Sequence, residues 1–231
     1  MAFELFRRQT APRADRRSVR LILPVLALSL SAALMLGLVA YVLWPSWPAT
    51  TVAGAPSLPI VIADEVFNVP PEAIRTAVQR HAGRQERIDL AFLWPSLAPP
   101  DPAAKTAGDR LFVTIAAATA LPPGERVAVI YPRYTSGEAR QRPDGLSEFS
   151  FRDGTPYQGE DLVVDTAAPQ RFAARCSRRT GPRTPGICLH DRRIGGADMS
   201  VRFPRDWLEE WRAVADGIDQ LSERLVGPRS R

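Results

Sequence analysis

The stretch LILPVLALSLSAALMLGLVAYVLW, residues 21–44, runs for 24 residues without a charged side chain. A helix rises about 1.5 Å per residue, so about 20 apolar residues cross the hydrocarbon core of a bilayer. A helix of this length in a globular core usually keeps a polar face. Here only Ser29 and Ser31 interrupt the apolar surface. Pro24 is expected in the first helical turn, where its missing N–H costs little. Tyr41, Trp44 and Trp47 gather at the C-terminal end, as interfacial aromatics do. Before the run stand Arg7, Arg8, Arg13, Arg16, Arg17 and Arg20, opposed only by Glu4 and Asp15. The positive-inside rule keeps such an N-terminus in the cytoplasm and sends the rest of the chain across. The expectation is a single-pass signal-anchor helix over residues 21–44 in a bacterial inner membrane, held by contact with the lipid bilayer.

Two other readings of the same segment exist. A cleaved secretory signal could use Ala53-Gly54-Ala55 as its cleavage site, but its apolar core would span only about 7–15 residues. Arg16-Arg17 also suits twin-arginine export, although the residues flanking the pair match that signal poorly. Each of these readings also places the C-terminal domain outside the cytoplasm. The layout of the first 60 residues resembles that of bitopic bacterial envelope proteins.

Charge separates the tail from the rest. The chain carries a formal net charge of +5. Residues 1–20 hold +4 of this, and residues 45–231 carry 24 basic against 23 acidic groups. Neutralising phosphates needs a basic domain, and here only the tail is basic, so nucleic-acid binding is not expected. Of the 30 basic residues only Lys105 is lysine, a bias that looks genomic and not functional.

After the apolar run, residues 45–59 are rich in Pro, Ala and Thr and read as a linker. Residues 60–231 read as an extracytoplasmic α+β domain. Strands are expected around residues 58–67, 86–94, 110–119, 125–131, 146–154, 160–166, 170–177, 186–194 and 197–203. The pair 110–119 and 125–131 reads as a hairpin around Leu121-Pro122-Pro123-Gly124. Proline at the start and Ile74, Ala77, Val78 and His81 on one face predict a three-turn helix over 70–81. A second helix begins near Pro204. Its Trp207, Trp211, Val214, Ile218, Leu221 and Leu225 form one apolar stripe. The stripe could form a homo-oligomer seam, but it is short and broken by Gly217, so packing on the sheet is the preferred use. Helices at the ends and strands between them make a mostly antiparallel α+β fold, not a parallel α/β one. Residues 95–109 and 132–145 read as long loops where contacts with a partner would concentrate.

The two cysteines, Cys176 and Cys188, lie in adjacent expected strands. Zinc needs about four N or S ligands, and only these two with His81 and His190 exist. A redox pair needs C-x-x-C. An oxidising compartment and an even count favour a cross-strand disulfide. His190 lies two residues from Cys188, on the same strand face, and reads as a partly exposed strand residue.

Nine arginines against Asp191 and Asp198 fill residues 171–205, while six acids against Arg212 fill residues 206–223. Arg175, Arg178, Arg179, Arg183, Arg192 and Arg193 are therefore candidates for a surface binding anions or a partner. The competing reading is that hairpin and helix neutralise one another.

No G-x-S-x-G, Walker A, G-x-G-x-x-G or H-E-x-x-H motif occurs. Neighbouring acids such as Asp64-Glu65 and Glu160-Asp161 point to opposite faces of a strand and suit no paired acid–base chemistry. No cofactor and no metal site is expected. The function expected is a non-catalytic accessory protein whose exported domain contacts another envelope protein. The alternative is an envelope hydrolase or ligand-binding domain acting on glycan or lipid.

Overall fold

The computed structural model describes residues 16–43, 56–101, 109–178 and 186–226. The chain divides into two compact units, Met1–Trp47 and Pro48–Arg231. In the first, helix α1 spans Arg16–Leu43, 28 residues. The helix begins eight residues before Pro24, so that proline lies inside it and not in its first turn. Ser29 and Ser31 donate their hydroxyls to the carbonyls of Leu26 and Leu28 at 2.9 Å. Among the described residues no helix is long and apolar enough to cross a membrane. The described side chains of residues 26–39 in α1 are all exposed. The side chain of Tyr41, and Trp44, Trp47 and residues 45–55, lie outside the described residues.

The second unit is a mixed α+β domain of two sheets and a C-terminal helix. Strands β1 (Leu58–Ile62), β2 (Glu65–Val69) and β3 (Gly83–Arg84) form a small sheet in the order β2-β1-β3. β1 and β2 are antiparallel, and β3 adds in parallel to β1. The large sheet contains β4 (Arg87–Leu93), β5 (Arg110–Ala117), β6 (Thr135–Gln141) and β7 (Ser147–Phe151). Its other strands are β8 (Glu160–Val164), β9 (Ala173–Ser177), β10 (Ile187–Ile194) and β11 (Ala197–Pro204). The order is β4-β5-β11-β10-β9-β8-β7-β6, with every neighbour antiparallel.

Three expected elements fold differently. Residues 70–81 do not make a three-turn helix. They make two 3-10 turns, Pro71–Ala73 and Ala77–Gln79. Between them Ile74 is extended and bridges Leu90, and the Arg75 N–H donates to the Asp89 carbonyl at 2.9 Å. The free edge of β4 thus captures backbone groups that a helix would have used internally. Residues 125–131 are not a strand. Helical turn α2 (Pro123–Glu125) continues as a π turn over Arg126–Ile130 and a 3-10 turn over Tyr131–Arg133. Val127, Ile130 and Tyr131 recur at helical spacing and pack together on one apolar cluster. The chain's tendency to β-branched residues here is outvoted by Pro122 and Pro123, which start a helix readily. In consequence β5 pairs with β4, not with residues 125–131. Finally, the expected loop 132–145 contains β6, the edge strand of the sheet.

The terminal helix opens as a 3-10 turn, Arg205–Glu210, and continues as α3 (Trp211–Val226). Trp211, Val214, Ile218, Leu221 and Leu225 are all buried, in one cluster with Ile60, Phe67 and residues of β4, β5, β10 and β11. The apolar stripe of α3 is thereby spent inside the domain. β8 shows how the sheet is covered. Val163 joins that main core, while its neighbours Leu162 and Val164 join a second cluster with Tyr131, Phe151 and Ala173. Adjacent strand residues point to opposite faces, so the second cluster lies on the other face, under residues 123–133.

Gly217 is not merely a weak point in α3. A Cβ there would lie 2.7 Å from Trp94 Cζ3, and Trp94 stacks on Trp207 with centroids 5.2 Å apart. Alanine gains about 1 kcal/mol in a helix interior, whereas overpacking costs about 1–3 kcal/mol. Gly217→Ala is expected to lower stability by about 1 kcal/mol in urea unfolding. A stabilised variant would show that Trp94 is free to move aside.

Candidate functional site

Cys176 and Cys188 are direct register partners in β9 and β10. They form a disulfide with an S–S distance of 2.00 Å across 12 residues of sequence, and both are fully buried. His190 follows on the same face, yet it is buried and not partly exposed as its sequence position suggests. Its Nδ1–H donates to the Ala173 carbonyl at 2.9 Å and its ring stacks on Phe172. The core that α3 builds over β10 closes it off. Burial holds the His190 pKa below its ordinary value, and the Ala173 hydrogen bond only partly opposes this. Among the described residues no three His, Cys, Asp or Glu side chains converge on a point that could hold a metal ion.

Beside the disulfide the apolar core gives way to an ionic cluster. Arg205 Nη2 donates to Glu148 Oε2 at 3.0 Å and to Asp161 Oδ2 at 2.8 Å. Its Nη1 reaches the Ser177 carbonyl at 3.2 Å. Both carboxylate side chains are 5% exposed. Arg178 Nε and the Ser150 hydroxyl complete Asp161 at 2.9 and 3.0 Å, while Arg140 and Arg142 complete Glu148. Burial alone would push the Asp161 carboxyl up, but the bonds from Arg178, Arg205 and Ser150 hold it below the usual carboxylate range. The cluster joins the start of the terminal helix to β7 and β8. It is a fastener whose members face one another, not an open acid–base pair.

Each of the four described candidate arginines pairs with an acid. Arg175 pairs with Glu160 at 2.7 Å and lies over the Tyr157 and Tyr131 rings. Arg178 belongs to the ionic cluster. Arg192 pairs with Asp219 of α3, and Arg193 pairs with Asp198 at 2.6 Å. Arg192 and Arg193 sit at the far end of β10 from the disulfide. Arg179 and Arg183 lie outside the described residues. Arg171 adds a further bond to α3, reaching Asp216 at 2.7 Å.

An apolar opening lies elsewhere, on the sheet face opposite α3, and sequence reasoning missed it. A groove of about 540 Å³ runs between residues 124–132, the outer side chains of β7 and β8, the loop 166–170 and the edge strand β6. Val127 and Ala128 form one wall, Phe149, Leu162 and Val164 the floor, and Thr135 and Gly137 the other wall. None of its twelve lining residues is charged. Its floor belongs to strands that alternate as any half-buried strand does. Only the folding of 123–133 as a helical strap and of 135–141 as a strand creates the walls.

No protein-family model matches the chain, and no curated protein matches its sequence. Solved structures do resemble it. Smlt3025, an immunity protein of the Stenotrophomonas maltophilia type IV secretion system, aligns with a TM-score of 0.51 at 13% identity, over 76% of this chain and 97% of that one. The Neisseria meningitidis iron-regulated outer membrane lipoprotein FrpD aligns with a TM-score of 0.43 at 13% identity, over 78% of this chain and 96% of that one. At such identity the likeness to Smlt3025 is one of fold alone.

Two outcomes follow from the buried groups. Arg205→Met leaves two buried carboxylates without their shared cation and is expected to cost about 3–5 kcal/mol in denaturant unfolding. A loss below about 1 kcal/mol would mean that the cluster behaves like a surface pair. His190 is neutral in the fold, whereas in the unfolded chain it titrates near 6.5. Protons then favour the unfolded chain as pH falls below that value, and stability drops toward the lower folded pKa. Above pH 6.5 this group contributes no slope. His190→Gln is expected to remove the slope between about pH 6.5 and 5, read as the denaturation midpoint against pH.

Proposed function

We propose that this chain is a single-pass, membrane-anchored accessory protein of a bacterial envelope. Residues 21–44 cross the inner membrane, the arginine-rich tail stays in the cytoplasm, and the α+β domain lies outside. The domain binds another envelope protein and catalyses no reaction of its own.

The observation that carries the reading is the open apolar groove beside β6. The domain already has a main core on one sheet face and a second apolar cluster on the other, and the groove leaves part of that second cluster open. Such surface is what a partner covers. The compartment is supported by the disulfide, which persists in oxidising surroundings. The anchor is supported by the uncharged run and by Ser29 and Ser31, whose hydroxyls return to carbonyls of their own helix and so need no water. The fold likeness to an immunity protein of a secretion system is compatible with an accessory role in the envelope.

Thiol trapping in intact cells, combined with photo-crosslinking from the domain surface, tests the reading. Cys176 and Cys188 are expected to accept a mass-tagged maleimide only after reduction and denaturation. Crosslinkers spread over the domain are expected to yield one recurring protein adduct. Labelling without reduction would place the domain in a reducing compartment, and the absence of any adduct would remove the partner.

A further inference from the structure

The groove is bounded by backbone as well as by side chains. β6 is the last strand of the large sheet, and its outer side meets no described strand. Its ladder to β7 is also interrupted. Thr135 pairs with Phe151 and Ala139 with Phe149, so residues 136–138 stand against Ser150 alone. This is a bulge, and its peptide groups lie outside the regular ladder. All three residues are exposed. At the centre of the bulge Gly137 has φ +86°, a conformation that favours glycine, and nothing lies within 4 Å of where its Cβ would be. Glycine inside a strand often marks a place where another backbone comes close. Gly137 and Thr135 are also the groove wall.

The two features ask for one kind of occupant. The floor and walls take apolar, uncharged groups. An edge strand turns backbone N–H and C=O groups outward, so β6 takes hydrogen-bond donors and acceptors at peptide spacing. An acyl chain would fill the first and leave the second to water. A second copy of this chain would have to pair one bulged edge with another, whereas a short extended segment can follow a single bulge. The stripe on α3 that could have served a dimer is buried. We propose that the groove receives an extended, uncharged peptide segment of the partner protein. The segment lies along β6, bonds to peptide groups of residues 136–138, and places apolar side chains between Val127, Ala128 and Phe149. This deepens, and rests on, the reading of the domain as a partner-binding module. The mode is strand addition, in which backbone bonds give affinity and alternate side chains give specificity.

The test uses the full chain in lipid nanodiscs and a blocked peptide of alternating Thr and Val, six residues long. Amide shifts in the protein are followed by NMR. Shifts are expected at residues 127, 128 and 136–138. An N-methylated version of the peptide, which cannot donate backbone bonds, is expected to bind at least about tenfold more weakly. Ala128→Trp fills the groove from an exposed position and is expected to weaken binding by at least about tenfold, with the disulfide and melting temperature unchanged. Several results would overturn the proposal: no shift at millimolar peptide, equal binding of the N-methylated form, the same shifts produced by dodecanoate but not by peptide, or a concentration-dependent dimer closing the groove. The in-cell crosslinking separates the two levels. An adduct that survives Ala128→Trp sinks this inference and leaves the partner-binding reading standing. No adduct from the unaltered protein sinks that reading itself.

Discussion

One face of an eight-stranded antiparallel sheet is apolar along five strands, and that face has to be covered. α3 covers it. Trp211, Val214, Ile218, Leu221 and Leu225 lie in a single cluster with side chains of β4, β5, β9, β10 and β11, and the small β1–β3 sheet closes the same core through Ile60 and Phe67. The missing side chain at Gly217 leaves room for the Trp94 ring against the helix. Remove the stripe and the sheet would present a continuous apolar surface to water, with no other helix of that length among the described residues of the domain to replace it.

The stripe ends before the sheet does. Over β7 and β8 the same face carries Glu148 and Asp161, and Arg205 turns in from the start of the terminal helix to meet both. The junction between helix and outer strands is thus ionic where the rest is apolar. Such a cluster adds little net stability over an apolar equivalent, but removing one partner is costly, so it specifies where the helix begins. On the opposite face, residues 123–133 fold down as a short helical strap and bury Tyr131 against Phe151 and Tyr157, with ring centroids 5.8 and 5.2 Å apart. The strap stops short of β6. Between them remains the uncharged groove, which lies beside a free edge of the sheet.

Much of the order of elements was readable. The β9–β10–β11 meander follows from alternation and turn residues, and the disulfide follows from two cysteines facing each other across it. The stripe on α3 was visible as spacing alone. What misled was local and has one cause: short segments take the hydrogen bonds offered by neighbours. Residues 70–81 have a helical pattern, but Ile74 and Arg75 lie beside the open edge of β4 and bond to it. Residues 125–131 have strand composition, but two prolines start a turn and the apolar residues meet at helical spacing. His190 looked like a half-exposed strand residue because its alternation cannot report that a helix starting 21 residues later, at Trp211, lies over it.

By itself, the sequence determined that residues 21–44 carry no charge, that charge before them is positive, that the remainder is a mostly antiparallel α+β domain, and that its cysteines can pair. These depend on composition and on periods of two and 3.6 residues, which need no knowledge of distant neighbours. Only the tertiary structure decided which acids Arg175, Arg178, Arg192 and Arg193 meet, each from another strand or from α3. It alone also placed the strap, the bulge at Gly137 and the floor of β7 and β8 around one groove. Those pieces are far apart or chemically plain in the chain, and only the strand order of the sheet brings them together.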